Sequence, residues 1–594
     1  MGFMRLSVGI ARSRSVTLLG FDSRGHIPPR PCQSPFPASA RHISTSGSCK
    51  QFAPPATDPR TSLGRYTTAY AIFEGLWEAG VRNCFVNVGS DHPSVLEAFV
   101  KGKRERPNAF PRMITCPSEV TAISIADGYA RVTGQPQAVL VHVDVGTQAL
   151  GQGVHNASIG RVPVFILAGL CPYTESGELL GSRTEYSNWL QDAHDQTAIV
   201  RQYCRYVGEI RTGLNAKQMI GRALQFAKSA PKGPVYLTAT REVLAQEFEP
   251  NSLDQEQWVP IGPSALPADA VQDIATALVH AERPLLITGY SGRDRRTPQI
   301  LVKLADMIPG IRVHDTGGSD LCFPVTHPAS EGFRLSMDEC TKDADVVLLI
   351  DCDIPWIPLK NPPPADAKIY HVDVDPLNEQ LRVSFFPAHG RWRADSFTAL
   401  TQLVKYIDQD KALQDELEEP NQIMHDQLQP SRPSSWINCG ATGIGWSNGA
   451  ALGVKLALQD QGKDSKGDCS IVCQVVGDGS FMCAAPSSAL WVASKHNIPI
   501  LTVVLNNGGW KAPRNSVEWV YPDGLNKTAT EDELNISFRP TPDFAALAEA
   551  AAGPEIGWMK GVRVRNVKEL KVTLAQAVQR VGVEKKGMLV EVMM

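Results

Sequence analysis

The sequence has little that would place it in a membrane, on nucleic acid or in an oxidising compartment. No run approaches the ~18 consecutive apolar residues that a bilayer span needs. The richest, Val346-Val347-Leu348-Leu349-Ile350, has the length of a buried strand. The thirteen cysteines are odd in number, scattered and without a CxxC pair. That argues against a zinc site or a disulfide framework and for reduced, buried thiols. Acids are nearly missing from the first fifty residues, where Asp22 stands alone against Arg5, Arg12, Arg14, Arg24, Arg30, Arg41 and Lys50. That segment carries +6 while the whole chain totals −4, so the remainder is −10. A body this acidic lacks the basic face that nucleic-acid binding requires.

The basic, Ser/Thr-rich composition of residues 1–60 is that of a mitochondrial transit peptide and leader, and Arg41-His42-Ile43-Ser44-Thr45-Ser46 resembles a processing site. No apolar stretch followed by a small-residue cleavage site is present, so secretion is disfavoured and a mitochondrial matrix address is expected. Beyond the leader the chain is an ordinary globular one, 43% hydrophobic and 20% charged over 594 residues in all. A length of that order allows three to five domains.

Three segments each alternate helices with short apolar runs, the pattern of parallel sheets covered on both faces. The first spans 64–245, with a helix at 66–78, a strand at 83–88, a helix at 120–132, and strands at 138–145, 164–168 and 235–240. A connection containing Pro250, Pro260, Pro263 and Pro267 leads to the second, 265–408, with strands at 284–288, 346–351 and 369–374. A polar stretch, 408–433, precedes the third, 436–594, with strands at 470–476, 500–505 and 588–592. The expected fold class is α/β, with three doubly wound parallel-sheet domains.

The third segment carries the informative motif. An apolar strand runs into Gly477-Asp478-Gly479-Ser480, one helix follows, and a second strand ends in Asn506-Asn507-Gly508-Gly509. Gly-Asp-Gly alone marks a turn. Paired with Asn-Asn at the carboxyl end of the next strand it points to a ligand site. A carboxylate and an amide oxygen on adjacent loops suit Mg²⁺, which takes few protein ligands and keeps phosphate or water for the rest. Glycines there let backbone N–H groups approach phosphates.

This pairing resembles the signature of the thiamine diphosphate-dependent decarboxylases and carboligases. The resemblance implies that Asp478, Asn507 and the carbonyl of Gly509 hold Mg²⁺, with Gly477, Gly479 and Ser480 against the cofactor. Gly443-Ile444-Gly445-Trp446-Ser447-Asn448-Gly449-Ala450-Ala451-Leu452-Gly453 is similar to the family's glycine-rich stretch, and gives Ile444, followed by Gly445, the place of the apolar wedge between the cofactor's rings. Pro117-Ser118-Glu119-Val120 and Ala126-Asp127-Gly128-Tyr129-Ala130-Arg131 are similar to the pyrimidine-binding domain. Read locally, Ser118 and Glu119 suit a helix start. The resemblance gives Glu119 the role of hydrogen-bonding the pyrimidine N1′ and so activating the thiazolium C2, work that suits a partly buried carboxyl.

Two further segments resemble benzoylformate decarboxylase. In Val141-His142-Val143-Asp144-Val145-Gly146-Thr147-Gln148, His142 takes the place of that enzyme's active-site histidine. In Phe85-Val86-Asn87-Val88-Gly89-Ser90, Ser90 takes that of its substrate-positioning serine. Asp91 and His92 are neighbouring polar alternatives. The family's second active-site histidine has no counterpart here. The middle segment reads Asp351-Cys352-Asp353-Ile354-Pro355-Trp356, its acids expected as polar loop residues. Gly289-Tyr290-Ser291-Gly292-Arg293 could approach a nucleotide but lacks the full dinucleotide fingerprint, leaving FAD undecided.

The implied activity is non-oxidative decarboxylation of a small-molecule 2-oxo acid, carboligation, or both, through an enamine. The alternatives are acetolactate synthase-like condensation and a non-catalytic binding or regulatory subunit. The implied assembly is a homodimer or homotetramer, with no nucleic-acid or membrane partner.

Overall fold

The structure, a computed structural model, describes residues 65–333, 339–410, 413, 432–462 and 470–594. The leader read at 1–60 and most of the polar stretch at 408–433 lie outside the described residues. Three parallel sheets form the rest, as the alternation of apolar runs and helices implies.

The first sheet contains β1 (Asn83–Val86), β2 (Arg112–Thr115), β3 (Gln137–Val141), β4 (Val164–Leu170), β5 (Tyr206–Glu209) and β6 (Val235–Thr240), in the order β2-β1-β3-β4-β6-β5. The second contains β7 (Pro284–Thr288), β8 (Arg312–Asp315), β9 (Ser330–Phe333), β10 (Val346–Ile350), β11 (Lys368–Asp373) and β12 (Gly390–Arg393), in the order β12-β11-β10-β7-β8-β9. The third has β13 (Cys473–Gly477), β14 (Leu501–Asn506), β15 (Met559–Val564) and β16 (Gly587–Met593), in the order β13-β14-β16-β15. Central strands β1, β3, β6, β7 and β10 are buried along their whole length, because helices cover both faces.

Several elements differ from the sequence reading. The strand read at 138–145 stops at Val141, and a short helix, Val145–Ala149, replaces its end. Strands β2, β5, β8, β9, β12 and β15 were not expected: each is only four to six residues long, and β2, β5, β12 and β15 are only partly buried. Two helices, Asp478–Cys483 and Pro486–Lys495, separate β13 from β14 where one was expected. Strand β13 is an edge strand: Gln474 and Val476 point inward, while Cys473 and Val475 (59% exposed) face outward. The ten described cysteines are all free, six of them buried, with Cys473 and Cys483 exposed against expectation. No described helix is long and apolar enough to cross a membrane.

The first and third sheets share one hydrophobic core, which includes Ile123, Ile125 and Tyr129 from one side and Leu452, Leu456, Phe481 and Phe544 from the other. At its centre helix Glu119–Thr133 crosses helix Trp446–Asp460. The crossing is close because glycines face the other backbone. A Cβ on Gly128 would lie 2.2 Å from the Ala450 carbonyl oxygen, and one on Gly453 would lie 2.1 Å from that of Ile125. Helix Glu119–Thr133 then ends at Gly134, whose φ of 69° allows the left-handed cap that returns its N–H to Ala130.

This crossing yields a stability prediction. Gly453→Ala should cost about 1–3 kcal/mol, because the methyl must push one backbone off the other. Gly151→Ala should cost nothing, since nothing lies within 4 Å of the position. Thermal midpoints of the two variants at one scan rate check this; equal midpoints would refute the close crossing.

Candidate functional site

Two clusters form at the carboxyl ends of the strands. The first gathers around β1 and β3. Half-buried Glu119 opens its helix with Ser118 at the N-cap, but the Ser118 hydroxyl makes no cap bond. Asn87 Nδ2, just after β1, donates to Glu119 Oε1 at 2.9 Å, and no hydrogen bond from a described residue reaches Oε2. Gly146 lets the turn after β3 pass beside this carboxylate: a Cβ there would lie 3.3 Å from Glu119 Oε1 and 2.8 Å from His142 Cβ. Glu119 and His142 are thus drawn together around one glycine.

His142 follows β3 directly and lies over Gly89, where a Cβ would fall 1.7 Å from its Cε1. Its Nδ1 is 2.8 Å from Asp91 Oδ1, and Asp91 Oδ2 accepts the Val143 N–H at 3.0 Å. The hydrogen bond that His142 donates to Asp91, helped by the charges of Asp91 and Glu119, raises the His142 pKa above the usual histidine value despite partial burial. Asp91 remains below the usual carboxylate range: burial raises it, but His142, His92 and the Val143 N–H outweigh that. His92 is fully buried, and burial lowers its pKa. Ser90 is exposed on the turn between them.

The turn carrying His142 is clamped from behind. Asp144 has a φ of 48°, sparsely populated for a residue with a side chain. Its N–H is held at 2.7 Å by Gln196 Oε1, while Gln196 Nε2 donates to the Gly169 carbonyl (3.0 Å) and the Tyr236 hydroxyl (2.9 Å). Sequence reasoning passed over Asn87, Gln196 and Tyr236, and named Asp91 only as a polar alternative beside Ser90, without its pairing to His142. The Asn87-x-Gly89 turn beside Glu119 was a usable signal; Gln196, opening a single 3₁₀ turn, Gln196–Ile199, offered none.

The second cluster joins the ends of β13 and β14. Asp478 is buried, with Oδ1 accepting Gly479 N–H and Oδ2 accepting Gly508 N–H, each at 2.9 Å. The Gly-Asp-Gly and Asn-Asn loops are therefore tied directly to one another. Asn507 is exposed and its Oδ1 accepts Gly509 N–H at 3.1 Å. Behind the loop, Asn506 binds buried Glu591, which Arg563 neutralises at 2.9 Å. Gly477 is open to solvent, whereas Trp510 packs on Gly479, where a Cβ would meet its ring at 2.3 Å. Ser480 lies in the first turn of helix Asp478–Cys483, its carbonyl 2.7 Å from where a Cβ on Gly445 would be.

Ile444 is 42% exposed at the start of helix Trp446–Asp460, and Gly445 makes the entry turn with a φ of 89°. The preceding segment is fixed from the first sheet. The Asn156 amide grips Gly443, donating to its carbonyl (2.8 Å) and accepting its N–H (3.0 Å), and Gln152 donates to the Ile444 carbonyl. Arg131, fully buried, pairs with Asp127 at 2.5 Å and donates to the carbonyls of Asn438 (2.8 Å) and Cys439 (2.9 Å) and to Ser319 Oγ (3.0 Å). Among the described residues no hydrogen bond joins the Glu119–His142 cluster to the Asp478–Asn507 cluster.

The donor set of the second cluster fits a divalent cation with a diphosphate. One buried carboxylate already held by two N–H groups and an exposed amide oxygen are hard ligands, and the open Gly477 turn beside them leaves backbone accessible to a phosphate. In the second sheet, strand order reverses between β7 and β10. There Arg161 pairs with Asp353 (2.6 Å) and Asp373 (2.8 Å) and stacks on Tyr290 at 4.9 Å. Asp351 and Asp353 are thus not solvated loop residues: burial, helped by the Asp373 charge, pushes Asp351 up to about 7, and Asp353 is raised as well.

Family models match three stretches: the thiamine pyrophosphate enzyme N-terminal TPP binding domain over 66–199, the central domain over 271–398 and the C-terminal TPP binding domain over 420–592. The 2-hydroxyacyl-CoA lyase 2 of Bos taurus is 25% identical over 517 residues, covering 73% of this chain and 77% of its own. The acetolactate synthase isozyme 3 large subunit of Escherichia coli (strain K12) is 23% identical over 527 residues, covering 78% and 84%. Among solved structures, the thiamine diphosphate-dependent 4-hydroxybenzoylformate decarboxylase of Rhodococcus jostii RHA1 shares the fold with a TM-score of 0.70 at 21% identity, covering 89% of this chain and 98% of its own. The chain belongs to the thiamine pyrophosphate enzyme family, and is a thiamine diphosphate-dependent enzyme of the decarboxylase, lyase or synthase type.

Proposed function

We propose that the enzyme decarboxylates a 2-oxo acid without oxidising it, with thiamine diphosphate held through Mg²⁺, and that His142 delivers the proton that replaces the departing carboxyl group. The supporting observation is the meeting of Glu119 and His142 around Gly146, the histidine backed by a buried carboxylate. When bound, thiamine diphosphate would supply the nucleophilic carbon and the electron sink that decarboxylation of a 2-oxo acid requires.

The chain's own residues do the rest. Asp478, Asn507 and the Gly509 carbonyl would hold Mg²⁺, and the open Gly477 turn would take the diphosphate. Ile444 offers an exposed apolar side chain to the cofactor's rings, and Glu119 exchanges a proton with the pyrimidine. Ser90, on its exposed turn, would orient the substrate carboxylate. His142, its pKa raised by Asp91, stays protonated to higher pH than an ordinary histidine, which suits a proton donor. That favours protonation of the product over capture by a second carbonyl compound, which is the acetolactate synthase-like alternative. The reading needs no flavin, and the Arg161 ion pairs lie at the strand-order reversal where one would be expected. Because in the family that the sequence resembles each site lies between the pyrimidine-binding domain of one subunit and the diphosphate-binding domain of another, we read the active form as a homodimer or homotetramer. The composition of residues 1–60 supports a mitochondrial matrix location.

Three outcomes follow. Asp478→Ala should weaken Mg²⁺-dependent thiamine diphosphate binding by on the order of 100-fold or more, a metal ligand mattering at least as much as its outer partners; undiminished affinity by calorimetry sinks the metal assignment. Glu119→Gln should slow proton–deuterium exchange at the cofactor's C2, measured without substrate, by ~10²–10⁴-fold; normal exchange removes Glu119 from its role. Sedimentation at assay concentration should show a dimer or larger, and an active monomer overturns the assembly.

A further inference from the structure

Asp91, His92 and His142 offer three ligand-type atoms within 4.8 Å of one another, and the arrangement asks for an explanation beyond fold stability. A metal ion is one reading, and His92 Nε2 is buried without a hydrogen-bond partner, but hydrogen bonds already engage the facing atoms of Asp91 and His142. Asp91 Oδ1 faces His142 Nδ1 at 2.8 Å, and Asp91 Oδ2 accepts the Val143 N–H. His92 Nδ1 accepts the Gly89 N–H at 3.3 Å, so its lone pair is engaged. An ion held by Asp91 and His142 Nδ1 would have to break their bonds.

The burial of the three groups sets their division of labour. Asp91 is 4% exposed and His92 not at all, whereas the His142 side chain is 26% exposed. A buried carboxylate on Nδ1 fixes a histidine's tautomer and orientation. We propose that Asp91 is the positioning residue of this site: it holds the Nδ1–H of His142 and leaves Nε2 as the nitrogen that gives its proton to the substrate-derived carbon. The inference rests on the reading of His142 as the proton donor.

The other groups facing His142 are consistent with this role. Glu119, on the first turn of its helix, adds a second negative charge, and the Val88 carbonyl also favours the protonated ring. His92, packed 5.4 Å away ring to ring, opposes it only when charged, and burial disfavours that charge. The Asp91 carboxylate therefore acts on His142 with little competition. The proton balance is simple: the imidazolium loses its Nε2 proton to carbon, Nδ1–H stays on Asp91, and solvent restores Nε2–H.

The test is a ¹⁵N- and ¹³C-histidine NMR titration of the holoenzyme loaded with thiamine diphosphate and Mg²⁺, with His142→Gln identifying the signal. In the wild type His142 should titrate above an ordinary histidine and, on the alkaline side, show the Nδ1–H tautomer. Asp91→Asn keeps the size and an acceptor oxygen but loses the charge, and should lower the midpoint by about one unit or more. Asp91→Ala should also lose the tautomer preference, and Asp91→Glu should recover part of the shift. An unchanged His142 titration in Asp91→Asn overturns the proposal. So does stoichiometric zinc in purified wild type that is lost in Asp91→Asn, which would assign the three side chains to an ion. C2 exchange in Asp91→Asn should match wild type. If Glu119→Gln exchanges normally while the His142 titration shifts as expected, the functional reading fails and the Asp91 assignment stands.

Discussion

The close crossing of helices Glu119–Thr133 and Trp446–Asp460 is the constraint on which the rest of the molecule depends. The first begins at Glu119, and the second begins just after Ile444 and Gly445. Backbone-to-backbone packing through Gly128 and Gly453 leaves little freedom of separation or rotation. The crossing therefore fixes the domain that carries Glu119 relative to the domain that carries Asp478. Only glycine permits it, so the sequence A-D-G-Y-A-R and the small-residue run after Gly445 are packing surfaces as much as motifs.

Buried charge then sets the joints that hydrophobic packing leaves loose. Arg131 touches its own helix, the second sheet's Ser319 loop and the segment leading to Ile444. Arg161 does the same between the first sheet and Asp353 and Asp373 of the second. Such pairs are weak sources of net stability, because desolvation offsets most of the attraction, but removing one partner costs ~3–5 kcal/mol. Their value here is geometric: the Arg161 pairs bridge two sheets, and the carbonyl bonds of Arg131 tie the first sheet's helix to the loop before Ile444.

Much of the fold was legible because fully buried parallel strands announce themselves as short Val/Ile/Leu runs. β6 and β7 match their apolar runs to the residue. What the sequence hid were edge and partly exposed strands such as β2 and β12, whose mixed composition follows from having one open side. The Gly-Asp-Gly and Asn-Asn loops were legible as a pair because the parallel β13–β14 pairing puts both strand ends together, and the Asp478–Gly508 bond confirms that proximity. His142 was visible, but its partner was not. Asp91 lies 51 positions earlier in the chain, and only the adjacency of β1 and β3 brings the two together.

The bonds that Arg131 makes beyond its own helix have a consequence for how such a sequence can change over time. Two of them end on the carbonyl oxygens of Asn438 and Cys439, which every amino acid supplies. Selection on these two bonds therefore falls on Arg131 and not on the side chains at 438 and 439. Those two positions can change identity and the loop before Ile444 is still delivered to the same place.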